Sequence, residues 1–204
     1  PQYFYLDDVY ETSDVMAVVN MFYDVEQTDI KEMQNEMNAV ADEILEKAEK
    51  ERTEFQKLTV IHDEIAGRCQ YNGGRHQSDA YGCLVLGEAK CEGYAKAMTY
   101  VARRGGMDIM NVTGVDGKGE NHVWNIVKIE GEYYNLDLTW DDDENYNGKS
   151  IHACMAMPDE MFRDHKADTS GYIPPACTSM DYSYYQINGY VVQNAEECEE
   201  LIEN

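Results

Sequence analysis

Lys90-Cys91-Glu92-Gly93-Tyr94-Ala95-Lys96-Ala97-Met98-Thr99-Tyr100-Val101 is the stretch from which the fold can be read. Its composition is helical, the pattern begins at the cysteine, and it ends at Gly105-Gly106. A sulfur at a helix N-terminus faces unpaired backbone N–H groups and the positive end of the helix dipole, and both favour thiolate over thiol. An unassisted thiol has a pKa near ~8.5, is mostly protonated at neutral pH, and needs that help to be a nucleophile. A buried structural cysteine is the ordinary alternative. Glu92 and the neighbouring lysines make this position polar instead.

Downstream, three strands are expected over about residues 108–115, 122–129 and 132–140. Ile129-Glu130-Gly131-Glu132 reads as a turn centred on Glu130 and Gly131. Residue 129 then pairs with 132, His122 faces Thr139 and Trp124 faces Asp137. His122 and Asp137 become diagonal neighbours on one face, a gap that long side chains bridge. A carboxylate there can bond one ring nitrogen, fix the tautomer and stabilise the imidazolium, leaving the other nitrogen for a thiolate. A three-residue loop would reverse this parity. On the last strand Tyr134, Leu136, Leu138 and Trp140 take one face and Tyr133, Asn135, Asp137 and Thr139 the other. Asp137 is thereby assigned to the polar face and not to the core.

Upstream, residues 13–25 read as a strand. From Asp29, a candidate cap, Ile30, Met33, Met37, Val40, Ile44 and Leu45 recur at three- and four-residue steps, which predicts an amphipathic helix to about Lys50. A second helix carries Leu58, Ile61, Ile65 and Cys69 on its buried stripe and stops near Tyr71-Asn72-Gly73-Gly74. His62 lies on that stripe and is read as a buried polar residue. Residues 73–90 read mostly as loop around Leu84-Val85-Leu86, and the chain after Trp140 as acidic loop with a Tyr-rich segment near 182–190. Helices first and strands later indicate α+β rather than alternating α/β.

A chain of 204 residues suits one full-sized domain. Forty acidic residues against sixteen basic ones, a net charge of −24, argue against a nucleic acid partner and against docking on an anionic membrane. They fit a solvated surface or a cationic substrate or partner. No apolar run is long enough to insert in a membrane. The six cysteines include no C-x-x-C pair, against a structural zinc site, and a nucleophilic cysteine would have to stay reduced. The chain starts at Pro1 and reads as a piece of something longer.

Asp79-Ala80-Tyr81-Gly82 through Lys90-Cys91-Glu92-Gly93-Tyr94-Ala95-Lys96-Ala97 resembles the nucleophile region of bacterial transglutaminase-like domains. Asn121-His122-Val123-Trp124-Asn125-Ile126-Val127 resembles their histidine strand, and Tyr133-Tyr134-Asn135-Leu136-Asp137-Leu138-Thr139-Trp140-Asp141 their aspartate strand. The three blocks stand in the family's order. The resemblance implies a papain-like α+β core with Cys91, His122 and Asp137 as catalytic triad, no cofactor, and acyl transfer on a protein or peptide substrate through a thioester. It implies a catalytic core over residues 55–170, with residues 1–54 as lead-in and 171–204 as a Tyr-rich extension. The Cys91 backbone N–H is expected as one oxyanion donor and Tyr81 as a second, with Trp124 as a wall of the site. Ile151-His152 and the segment Pro158 to His165 resemble a trailing part of such domains, where structural roles are expected. Secretion or display on a bacterial cell surface follows from the same resemblance. Peptide N-glycanases share the triad, but their paired-cysteine zinc site has no counterpart here. Arylamine acetyltransferases share it too, with different sequence around the cysteine.

Three other readings compete. Asp143-x-Asn145-x-Asn147-Gly148 matches the opening of a calcium loop, but Cys154 stands where its last acidic ligand belongs. Cys91, His122 and Asp137 are all metal-ligand types. The third reading is a binding or scaffold module that keeps the fold without turnover. Within the enzymatic reading, hydrolysis is expected over cross-linking.

Overall fold

The computed structural model describes residues 4–5, 20–21, 27–142, 151–192 and 194–203. The chain divides into two units, Pro1–Glu36 and Met37–Asn204. In the first, strands β1 (Phe4–Tyr5) and β2 (Asn20–Met21) pair antiparallel, Phe4 opposite Met21. The rest of the strand expected over 13–25 lies outside the described residues, as does the calcium-loop reading at Asp143 to Gly148.

Helix α1 runs from Gln27 to Ala48. Asp29 therefore sits in its first turn, where a negative charge suits the dipole, and is not its cap. Its buried residues Ala41, Ile44 and Ala48 follow the expected stripe. Helix α2 (Glu54–Ala66) opens with a reciprocal cap: Gln56 N–H donates to Thr53 Oγ1, and Thr53 N–H to Gln56 Oε1. Phe55, Leu58, Ile61 and Ile65 are buried along α2, and Cys69 is buried just beyond its end. The segment 73–90 is more ordered than expected. Strands β3 (Gln70–Tyr71) and β4 (Glu88–Ala89) pair in parallel, and a wide π-type turn at Gly82–Leu86 leads into β4.

Helix α3 (Cys91–Arg104) begins at the cysteine, as its pattern predicted. It lies on an antiparallel sheet of order β7-β6-β5-β8, built from Ile109–Asp116 (β5), Asn121–Ile129 (β6), Glu132–Leu136 (β7) and His165–Ala167 (β8). Ile129 pairs with Glu132, the expected register. The turn between them has Glu130 at φ 49° and Gly131 at φ 97°. Two consecutive positive φ values are those of a two-residue hairpin turn whose twist matches the strands, which holds the parity. Asn125 ties strand to helix: its Nδ2 donates to the Ala95 carbonyl at 3.1 Å and to Thr99 Oγ1 at 3.0 Å.

The last strand does not run to residue 140. β7 stops at Leu136, and Asp137 instead caps a short helix α4 (Leu138–Asp141), its Oδ1 accepting from the N–H groups of Thr139 and Trp140. Nor is the Asp137 face open to water. Asn135 bridges to Met157, and a second apolar cluster of Val112, Trp124, Ile126, Met157, Phe162 and Cys177 covers this side. Helix α3 covers one face of the sheet, with α2 packed behind it on α3 and α4, and residues of the chain from 151 to 177 pack on the other, where Asp137 is 1% exposed. Two short helices, α5 (Tyr184–Ile187) and α6 (Ala195–Glu203), complete the described chain. Among the described residues no helix is long and apolar enough to cross a membrane.

Candidate active site

Glycine is required where the nucleophile helix starts. A Cβ at Gly93 would come within 2.7 Å of both the Gln77 carbonyl and the Ala89 side chain. Without it, the first turn of α3 settles against β4 and the preceding loop, at the end of β6. Cys91 is half-buried there with the His122 imidazole beside it, and each shifts the other's ionisation. His122 Nε2 is 2.6 Å from Asp137 Oδ2, so the ring nitrogen left for sulfur is Nδ1. The structure thus brings together Cys91, His122 and Asp137.

The electrostatics follow from these contacts. Burial would raise the Cys91 thiol, but the His122 bond and charge, with the N–H groups of Val123 and Glu92, bring its pKa below the ordinary value. Burial would likewise drive His122 toward neutrality, yet Asp137 and Cys91 outweigh it and raise its pKa to about 10. Asp137 is held below its usual range against its own burial by bonds from two histidines. Burial pushes Cys177 up to about 12 and raises Cys83 and Cys154 as well, whereas Cys69 is lowered by its bond to Cys83. All six cysteines are free of disulfides.

The second histidine on Asp137 is His165, whose Nε2 is 2.9 Å from the same Oδ2. It stacks on Phe162 at 3.7 Å between ring centroids and packs against Trp124 and Trp140. Sequence reasoning assigns it only a structural role, because 28 residues separate it from Asp137 and no periodicity links them. Its one signal is its place in the trailing segment near Phe162.

Cys91 and His122 open on a cleft of about 730 Å³, whose walls include Lys90, Thr113, Val123 and Lys166. Tyr81 is not on this wall; it packs edge-on against His76. Trp124 is not on it either. It lies buried beneath His122, stacked at 6.2 Å, and donates to Asn135 Oδ1. The tyrosine that senses the sulfur is Tyr71, whose phenol pKa is raised by burial and then by the charges of Cys91, Glu120 and Asp137. The Lys90 ammonium lies 4.1 Å over its ring.

A cysteine on a helix N-terminus, packed against an antiparallel sheet that presents histidine and aspartate, defines an α+β protein of papain-like core. A family model described as the transglutaminase-like superfamily matches residues 38–138. The chain belongs to the transglutaminase-like superfamily. Among solved structures it is similar to a TGase, at 16% identity and a TM-score of 0.51, over 76% of this chain and 44% of that one. It is also similar to a proposed cysteine protease from Cytophaga hutchinsonii, at 15% identity and a TM-score of 0.46, over 71% of this chain and 47% of that one. The chain therefore spans less than half of either. No curated protein sequence matches it significantly.

Proposed function

We propose that Cys91, His122 and Asp137 are a catalytic triad for acyl transfer on peptide or amide bonds. The observation that carries this reading is a thiol in the first turn of α3 beside His122, whose Nε2 lies 2.6 Å from the buried Asp137 carboxylate. The Cys91 thiolate attacks the carbonyl carbon, and the N–H groups at the start of α3 face the developing oxyanion. His122 gives its proton to the departing amine, leaving an acyl thioester on sulfur. Water, deprotonated by His122, attacks the thioester; the acid leaves, and the proton returns to the imidazole–thiolate pair. Asp137 stays ionised and holds the ring. Hydrolysis is favoured over cross-linking because Cys91 is partly exposed in an open cleft of mixed polar and apolar lining that admits water. A protein or peptide substrate, met at a secreted or surface location, completes the proposal.

The test is the pH dependence of Cys91 alkylation by iodoacetamide, for wild type and His122→Ala. Wild type should react fast below pH 7, and the variant's midpoint should rise toward the ~8.5 of an ordinary thiol. Identical, ordinary profiles would sink the triad and favour a binding module on this fold.

A further inference from the structure

A second histidine–carboxylate cluster stands at the far end of α4, and none of its members lines the cleft. His62, on α2, is fully buried between two carboxylates. Its Nε2 lies 3.0 Å from Asp141 Oδ2 and its Nδ1 3.0 Å from Asp63 Oδ1. His152 brings its Nε2 to 2.8 Å from that same Asp63 oxygen and stacks on Tyr184. The donor atoms of His62, Asp63 and His152 all lie within 4.8 Å of one another. Asp63 is 47% exposed and His152 15%, so the cluster is closed by His62 on one side and reached by solvent on the other.

Two features set this cluster apart from an ordinary ion pair. Two imidazole nitrogens converge on one carboxylate oxygen, and a lone pair cannot face a carboxylate at 3.0 Å without a positive charge between them. That charge is a proton or a metal cation. The other His62 nitrogen is held by a carboxylate from a different element, the arrangement that fixes the tautomer and orientation of a ligating histidine. With Nε2–H given to Asp141, the Nδ1 lone pair points to the region shared with Asp63 and His152.

We propose that His62 Nδ1, His152 Nε2 and the Asp63 carboxylate bind a first-row transition cation of the zinc type, with Asp141 as the outer carboxylate and water as fourth ligand. Imidazole nitrogens select such ions over calcium or magnesium. Bonds of ~2.0–2.1 Å in a tetrahedron put donors roughly 3.3 Å apart, so the two nitrogen–oxygen separations of 3.0 and 2.8 Å need to open by only a few tenths of an ångström, and the two imidazole nitrogens lie within 4.8 Å of each other. The ion displaces the proton held between His62 and Asp63, which leaves to solvent. It would clamp α2 to the His152 segment and, through Asp141, to α4. The proposal does not depend on the chemistry at Cys91.

Cobalt(II) titration of the full chain carrying Cys91→Ser and His165→Ala removes competing ligands around Cys91 and Asp137 and gives a visible spectrum. One equivalent should produce four-coordinate cobalt bands that zinc abolishes by displacement. Adding His152→Ala or Asp63→Asn should weaken binding by ~100-fold or more, and Asp141→Asn by about 10- to 100-fold. Should that background fail to fold, the wild-type chain serves instead: zinc should raise its melting temperature, and His152→Ala should abolish the rise. No bands at tenfold excess metal, bands unaffected by His152→Ala, or no zinc-induced rise in wild-type melting temperature would overturn the site.

Discussion

Asp137 makes four contacts with two oxygens: Oδ1 caps α4, and Oδ2 receives both His122 and His165. Asparagine there would offer an N–H where an acceptor is needed, so Asp137→Asn should cut turnover by roughly 10²–10⁴-fold while Cys91 remains present and titratable. Steady-state kinetics on a peptide amide checks it. The pH window follows from the shifts themselves. On the proposed chemistry, the thiolate–imidazolium pair should persist from the depressed Cys91 pKa up to about 10, where His122 loses its proton. Turnover should fall on both sides of that window. His165 acts on Asp137 rather than on substrate. Because its bond helps hold the Asp137 pKa down, His165→Ala should raise that pKa and move the acid limb of unfolding to higher pH. A urea titration at several acid pH values measures this, and His165→Gln, which keeps a donor, should restore part of it.

At the scale of elements, the site depends on the close approach of β8 to β5. A Cβ on Gly114 would fall 2.1 Å from the Lys166 carbonyl and 2.8 Å from the Trp124 ring. Gly114→Ala should therefore push β8 outward, carry His165 off Asp137, and cost ~1–3 kcal/mol in chemical denaturation. Asn125→Ala should cost about as much by leaving buried partners unbonded, and should slow Cys91 alkylation by loosening α3 on β6. How far these elements can be read from sequence depends on locality. The start of α3 and the Ile129–Glu132 register rest on signals within a few residues, a helical run and a Glu130-Gly131 turn. The same-face relation of His122 and Asp137 follows from that register. The end of β7 escapes such a reading because a capping aspartate and a strand aspartate look alike in an alternating pattern. The burial of the Asp137 face is hidden as well, since the chain from 151 to 177 that covers it carries no helical or strand period. Tyr81 stands closer to Cys91 in sequence than Tyr71 does, yet the β3–β4 pairing brings Tyr71 to the sulfur side.

For the whole molecule, the charge of −24 and the buried histidines set the response to medium. Self-repulsion should make the chain more stable in 0.15 M salt than at low ionic strength, as seen in its melting temperature. His122 and His62 are raised to about 10 and about 9, burial opposing both shifts and carboxylates winning. Their stabilisation is complete below the unfolded value of ~6.5 and is lost as pH rises through 9 to 10, so unfolding by urea should become easier across that alkaline range. An order of events is also written in the chain. Cys91 precedes His122, Asp137 and His165, and Asp137 takes its place only when α4 can form behind it. On the proposed chemistry, a polypeptide still emerging from the ribosome carries an unassisted thiol until Asp137 and α4 are out, so the acylating centre is armed only after its own scaffold exists.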